Sequence, residues 1–148
     1  MKRISNTVKG QFEVERKYSI SDDEFRDLPE ILRSHGFRFA SQVYMTDTFV
    51  PPEQEGDMIR VRRETEDDKT RVLLTRKTWV EVQGNRERNE DEKQIDEVVA
   101  QTILELGVRL TGGAPLLSYS KERDSYKKTT DDGQQVTVTL DTVDDLGQ

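Results

Sequence analysis

The sequence predicts an α+β, mainly β protein: an antiparallel closed or nearly closed β-barrel with helices packed outside it. Several segments alternate polar and apolar residues with the period of a strand, short turns join them, and only two segments carry helical spacing. About seven consecutive strands in a chain this short favour a sheet that is closed or strongly curved.

The elements follow in order. Residues 1–10 read as a flexible, frayed lead-in. Phe12 to Tyr18 alternates strictly and predicts a strand. Ser21 with Glu24 is a capping-box pair opening a helix to about His35, where Gly36 stops it. Leu28, Ile31 and Leu32 give that helix an apolar side, and Pro29 is expected to kink or restart it. Strands are then expected over Ser41 to Val50, Met58 to Glu64, Arg71 to Val80 and Arg86 to Ile95, with Glu64 to Asp68 as a turn. Asp96 to Leu106 has helical spacing, closed by Gly107. Leu117 to Tyr126 and Gln135 to Asp141 form a hairpin turning at Asp132-Gly133.

The composition is unusual for such a fold. Hydrophobic residues make up 32% and charged residues 36% of the 148, against about 45–50% and about 25% in typical globular chains. Disorder would be one outcome of such numbers, but the strand patterns point to a fold with one charged inner face. The formal net charge of −7 argues against non-specific nucleic-acid binding. Cysteine is absent, which excludes disulfides and thiolate metal sites. No apolar run reaches the length of a membrane span and no signal-peptide core is present, so the chain reads as soluble, cytoplasmic and not membrane-bound.

The charges fall two residues apart. Alternate strand residues share a face, about 6–7 Å from one another. Glu13, Glu15 and Lys17 therefore point one way, as do Arg60 with Arg62, Glu90 with Glu92, and Lys121 with Arg123. Their neighbours Phe12, Val14, Tyr18, Ile59 and Val61 need burial on the opposite face. A single pair of this kind is most often the wet side of an antiparallel sheet. Two purely basic pairs and one purely acidic pair are more informative, because like charges at this spacing repel unless a ligand compensates them. Acidic pairs suit hard cations such as Mg²⁺ or Mn²⁺, and basic pairs suit phosphate oxygens. No glycine-rich phosphate loop is present, and His35 is the one histidine, read as a helix-end residue. This reading argues against a serine–histidine triad. Trp79, Tyr44, Phe49 and Tyr119 read as packing residues first, although Trp79 beside Lys77 also suits base stacking. Lys127-Lys128 reads as a solvated turn.

Glu13-Val14-Glu15-Arg16-Lys17 resembles the E-x-E-x-K strand of the CYTH superfamily, the triphosphate tunnel metalloenzymes. That family includes inorganic triphosphatases, thiamine triphosphatases and class IV adenylate cyclases. Arg60-Val61-Arg62 is similar to its R-x-R strand, Leu74-Thr75-Arg76-Lys77 to its L-T-x-K strand, and Glu90-Asp91-Glu92 to its E-x-E strand before a helix. Lys121-Glu122-Arg123 matches K-x-R, and Leu140 to Gly147 resembles L-D-x-V-x-x-L-G. The resemblance runs from about Phe12 to Gln148 and implies one tunnel domain over residues 11–148, with eight strands.

The resemblance also implies roles. Glu13 and Glu15 would hold Mg²⁺ or Mn²⁺ and, with Lys17, form the catalytic set. Lys17, Arg60, Arg62, Lys77, Lys121 and Arg123 would clasp the triphosphate. Glu90, Glu92 and Asp141 would contact metal or hold the basic residues. The implied activity is metal-dependent hydrolysis of a terminal phosphoryl group, from tripolyphosphate, ATP or thiamine triphosphate. Cyclisation of ATP to cyclic AMP and pyrophosphate, non-catalytic polyphosphate or nucleotide binding, and a purely assembly role are the alternatives. In the family a further acidic strand follows the L-G segment. The sequence reaches Gln148 where that strand is due, so the domain is expected to be C-terminally incomplete, with an open edge that a homodimer would cover.

Overall fold

The computed structural model describes residues 1–9 and 14–144, apart from the side chains of Lys9, Val14 and Glu15. The elements are β1 (Lys2–Lys9), β2 (Val14–Ile20), α1 (Asp22–Ser34), β3 (Arg38–Val50), β4 (Met58–Glu66), β5 (Lys69–Val82), β6 (Asn85–Ile95), α2 (Glu97–Leu110), β7 (Ser118–Thr129) and β8 (Gln135–Val143). They make a mainly β protein with one antiparallel eight-stranded sheet in the order β2-β1-β8-β7-β3-β4-β5-β6. Among the described residues no hydrogen bonds close this sheet on itself.

The lead-in expected at residues 1–10 is instead strand β1 over Lys2–Lys9, paired with β2 on one side and β8 on the other. Two-sided pairing satisfies its backbone groups, which a frayed terminus would leave to water. Strand β4 continues to Glu66, because the acidic run turns only at Asp67 and Asp68, whose φ angles of 49° and 64° fit a two-residue hairpin turn. Helix α1 runs unbroken through Pro29. Its capping box is present: Ser21 Oγ accepts from the Glu24 N–H at 3.2 Å, and Glu24 Oε2 accepts from the Ser21 N–H at 3.1 Å.

Helix α2 passes the expected stop at Gly107 and ends at Leu110. Gly107 is a packing residue. A Cβ placed there would lie 3.1 Å from both Leu116 and Val50 side chains, so its bareness lets the helix approach its neighbours.

The chain divides into two compact units, Met1–Tyr44 with Lys121–Gln148, and Met45–Ser120. In the first, Phe25, Leu28 and Leu32 of α1 pack against Ile4, Phe37, Tyr126, Val138 and Leu140. Lys128, expected on a solvated turn, lies in β7 and donates to the His35 carbonyl at 2.7 Å, capping the C-terminus of α1. In the second, Ala100, Ile103 and Leu104 of α2 pack against Val50, Ile59, Val61, Val72, Leu74, Ile95 and Leu116. Complete burial of Val61 contributes on the order of 1.5–3 kcal/mol.

Candidate functional site

In the second unit the pleat separates charge from core. Ile59, Val61, Val72 and Leu74 face the α2 cluster, so Arg60, Arg62, Thr75 and Lys77 take the other face. Cross-strand register aligns Arg60 with Thr75 and Thr75 with Glu92, while Lys77 stands opposite Glu90.

Arg62 and Arg60 differ in their partners. Arg62 donates through Nε and Nη2 to the two carboxylate oxygens of Asp47, at 2.6 and 2.9 Å. Asp47 on β3 is fully buried, at 0% exposure. Burial alone would disfavour the Arg62 charge, yet the hydrogen bond and charge of Asp47 outweigh it and raise the Arg62 pKa. Arg60 donates to Thr75 Oγ1 at 3.3 Å and lies 3.8 Å from Glu92, itself 41% exposed. Its Nε is buried with no hydrogen-bond partner. Burial and then the Arg62 charge lower the Arg60 pKa, and Asp47 and Glu92 offset only part. Two like charges at strand spacing repel by on the order of 2–3 kcal/mol at an effective dielectric constant of about 20. Thr75 Oγ1 in turn donates to Glu92 at 2.9 Å. Lys77 Nζ lies 3.6 Å from Glu90.

The first unit carries a second buried acid. Arg123 donates through Nε and Nη2 to both oxygens of Asp141, each at 2.8 Å. Lys121 Nζ lies 3.9 Å from the same carboxylate and is almost wholly buried. Arg123 and Asp141 are in register on β7 and β8, and Arg3 of β1 extends that row. The next row on the same face is Ser125, Thr139, Ser5 and Lys17, with Ser5 and Thr139 hydroxyls hydrogen-bonded. Lys17 is exposed there.

The structure therefore brings Arg60, Arg62, Lys77, Glu90 and Glu92 to one face of the second unit. It brings Lys17, Lys121, Arg123 and Asp141 to one face of the first. Glu13 lies outside the described residues, and Glu15 is placed only by its backbone, opposite Thr7. Tyr18, expected to be buried opposite the charged face, is 54% exposed, because β2 ends the sheet order. Tyr44, read as packing, is 49% exposed. Phe49 and Tyr119 do pack together, with ring centroids 5.6 Å apart.

Two residues on these faces escaped the sequence. Asp47 is the one charged residue between Arg38 and Glu53, a lone acid in a long uncharged strand, and that isolation was its signal. Arg3 was hidden in the supposed lead-in. Among the described residues no group of three histidine, aspartate or glutamate side chains is placed to hold a metal ion. Asp141 gives both oxygens to Arg123, and Glu90 and Glu92 lie beside cations. The described residues thus do not by themselves fit a metal centre.

Fold and faces together define a mainly β, antiparallel eight-stranded sheet that carries, in each unit, paired cations beside a buried acidic counter-charge. The chain belongs to the CYTH domain family, whose model matches residues 11–148. Among solved structures it is similar to the PH1012 protein of Pyrococcus horikoshii OT3, with a TM-score of 0.52, 14% identity, and coverage of 98% of this chain and 80% of that one. It is likewise similar to the PH1819 protein of the same organism, with a TM-score of 0.50, 18% identity, and coverage of 97% and 80%. A conserved hypothetical protein from Pyrococcus furiosus gives a TM-score of 0.50 at 15% identity, covering 97% and 80%. At these identities the likeness establishes the fold alone. No curated protein matches the chain.

Proposed function

We propose that the chain binds a triphosphate through its paired cations and hydrolyses the terminal phosphoryl group. The observation that carries this reading is Arg60. It is a largely buried guanidinium, repelled by Arg62, with its Nε unpaired; it keeps one hydrogen bond to Thr75 and Glu92 at 3.8 Å, and the charges of Asp47 and Glu92 offset its burial and repulsion only in part. An unpaired polar group in such a place costs about 1–3 kcal/mol, more when charged. An incoming phosphate oxygen would remove that cost. Asp47 holds Arg62 in one orientation, so that donors meet the anion without reorganising. Lys77, Lys121 and Arg123 are assigned to phosphate oxygens by the same reading, and Lys17 is assigned beside them.

Phosphoryl transfer asks mainly for charge neutralisation and positioning, which this residue set supplies. Glu13 and Glu15 are the proposed holders of a divalent ion, Mg²⁺ or Mn²⁺, on their sequence pattern alone. Such an ion, when bound, offsets phosphate charge and lowers the pKa of a bound water.

The test is phosphate release from tripolyphosphate and from ATP, with each metal and with chelator. The expected result is metal-dependent release that falls by at least about a hundredfold in Arg60→Ala, the loss that removing one transition-state donor produces. Cyclic AMP appearing with pyrophosphate would move the reading to cyclisation. Stabilisation by tripolyphosphate without turnover would leave a binding module. Equal release by wild type and Arg60→Ala would remove Arg60 from the site.

A further inference from the structure

The charged face of the β5–β6 hairpin continues past Lys77, and there it holds two cations that have no acid partner among the described residues. Trp79 follows Lys77 by two residues and stands opposite Arg88, with Arg86 one same-face row further on, opposite Glu81. The guanidinium carbons of Arg86 and Arg88 lie 4.5 and 4.6 Å from the centre of the Trp79 ring. Arg88 Nη1 also donates to the Gly56 carbonyl at 3.0 Å. Gly56 packs under this stack in the left-handed conformation that favours glycine, with φ of +87°.

Glu53 and Asp57 line a depression with Trp79, and among the described residues no acid forms an ion pair with Arg86 or Arg88. Glu90 lies beside Lys77 at 3.6 Å. Asp57 accepts the Trp79 backbone N–H at 3.4 Å. Glu87 pairs with Val80 in the alternate, opposite-facing row. Glu81 shares a row with Arg86 but makes no ion pair with it among the described residues. An indole face holds guanidinium planes by attraction to its quadrupole and leaves their N–H edges free to donate. Two like charges held on one ring repel, and a polyanion would compensate both.

We propose that Arg86, Arg88 and Trp79 form an anion subsite that takes the phosphoryl groups of a linear polyphosphate beyond the first three. The subsite rests on the triphosphate reading above, because Lys77 shares its face and same-face rows follow at about 6–7 Å. It makes chain length a determinant of affinity.

Trp79 is the one tryptophan of the chain, so its fluorescence reports the subsite directly. Full-length protein is titrated with tripolyphosphate and with long-chain linear polyphosphate, at fixed Mg²⁺ and moderate salt. The long chain is expected to bind about tenfold more tightly through the added contact, and to change Trp79 emission where tripolyphosphate does not. In the Arg86→Ala, Arg88→Ala double variant the affinity ratio should fall to about one. If that variant does not fold, the Arg86→Lys, Arg88→Lys pair keeps the charge and loses the stack, and its ratio should fall part of the way. An unchanged ratio in the variants, or unchanged wild-type emission with long chains, overturns the proposal. A polysulfate that moves emission equally would reveal a general polyanion patch and also overturn it. Should tripolyphosphate fail to bind while the long chain still moves Trp79 emission, the triphosphate reading falls and the subsite stands.

Discussion

Each unit holds two cations around one buried aspartate, and the two clusters differ in what is left over. In Met45–Ser120, Asp47 gives both oxygens to Arg62 in two short hydrogen bonds, and Arg60 has Thr75 at 3.3 Å and the half-exposed Glu92 at 3.8 Å, with one buried guanidinium N–H unpaired. In the other unit Asp141 holds Arg123 with both oxygens and has Lys121 at 3.9 Å as well. One carboxylate there sits against both cations. The difference separates stability from binding. Buried acids hold each cluster together, and on the proposed function the less fully paired cation of the second unit is the one an anion would meet.

Mutations sharpen this comparison. Asp47→Ala should have the largest effect, because it leaves Arg62 buried beside Arg60 with no hydrogen-bonded acid and only Glu64, 4.0 Å away, as counter-charge. Breaking such a pair costs about 3–5 kcal/mol, to be measured by urea denaturation. Asp141→Ala should cost less, since Arg123 is 23% exposed and water can hydrate it in part. A larger loss for Asp141 than for Asp47 would break the comparison. Arg60→Ala should leave stability within about 1 kcal/mol of wild type, or raise it, because the lost cation had little pairing and repelled its neighbour. A loss above about 3 kcal/mol would mean that Arg60 is a structural cation.

The smallest effect lies where α2 meets β4. Glu97 lies 2.6 Å from Arg63, and the hydrogen bonds from Arg63 and Gln101 hold its pKa below the ordinary 4.5. A carboxylate with a depressed folded-state pKa contributes stability above its unfolded pKa and loses it as pH falls through the folded value. Glu97→Gln should therefore lower Tm slightly at pH 7, with the gap to wild type closing below about pH 4. A gap that widens in acid would contradict the assignment.

Much of this was legible from alternation. Arg60 and Arg62 could be assigned a common face because Ile59 and Val61 demanded a core, and α2 supplies it. Lys121 and Arg123 could be put on one face by the same spacing, whereas Asp141 entered only through the family resemblance, and the hairpin register sets it opposite Arg123. Asp47 was not legible, since it stands alone in an uncharged stretch, with no second charge two residues away to mark its face. Strand β1 was missed because Asn6 interrupts its apolar alternation, and only pairing on both flanks fixes it as a strand. Gly107 misled because glycine more often stops a helix than packs inside one.

The most direct measurement is the thermal shift produced by tripolyphosphate on wild type and on Arg60→Ala, at the same metal concentration. Binding at a hundred times Kd adds about 2.7 kcal/mol to stability, so wild-type Tm should rise by several degrees and that of Arg60→Ala should stay nearly fixed. An equal rise in both proteins, or no rise in wild type, would contradict the claim that Arg60 is a cation set to receive a phosphate.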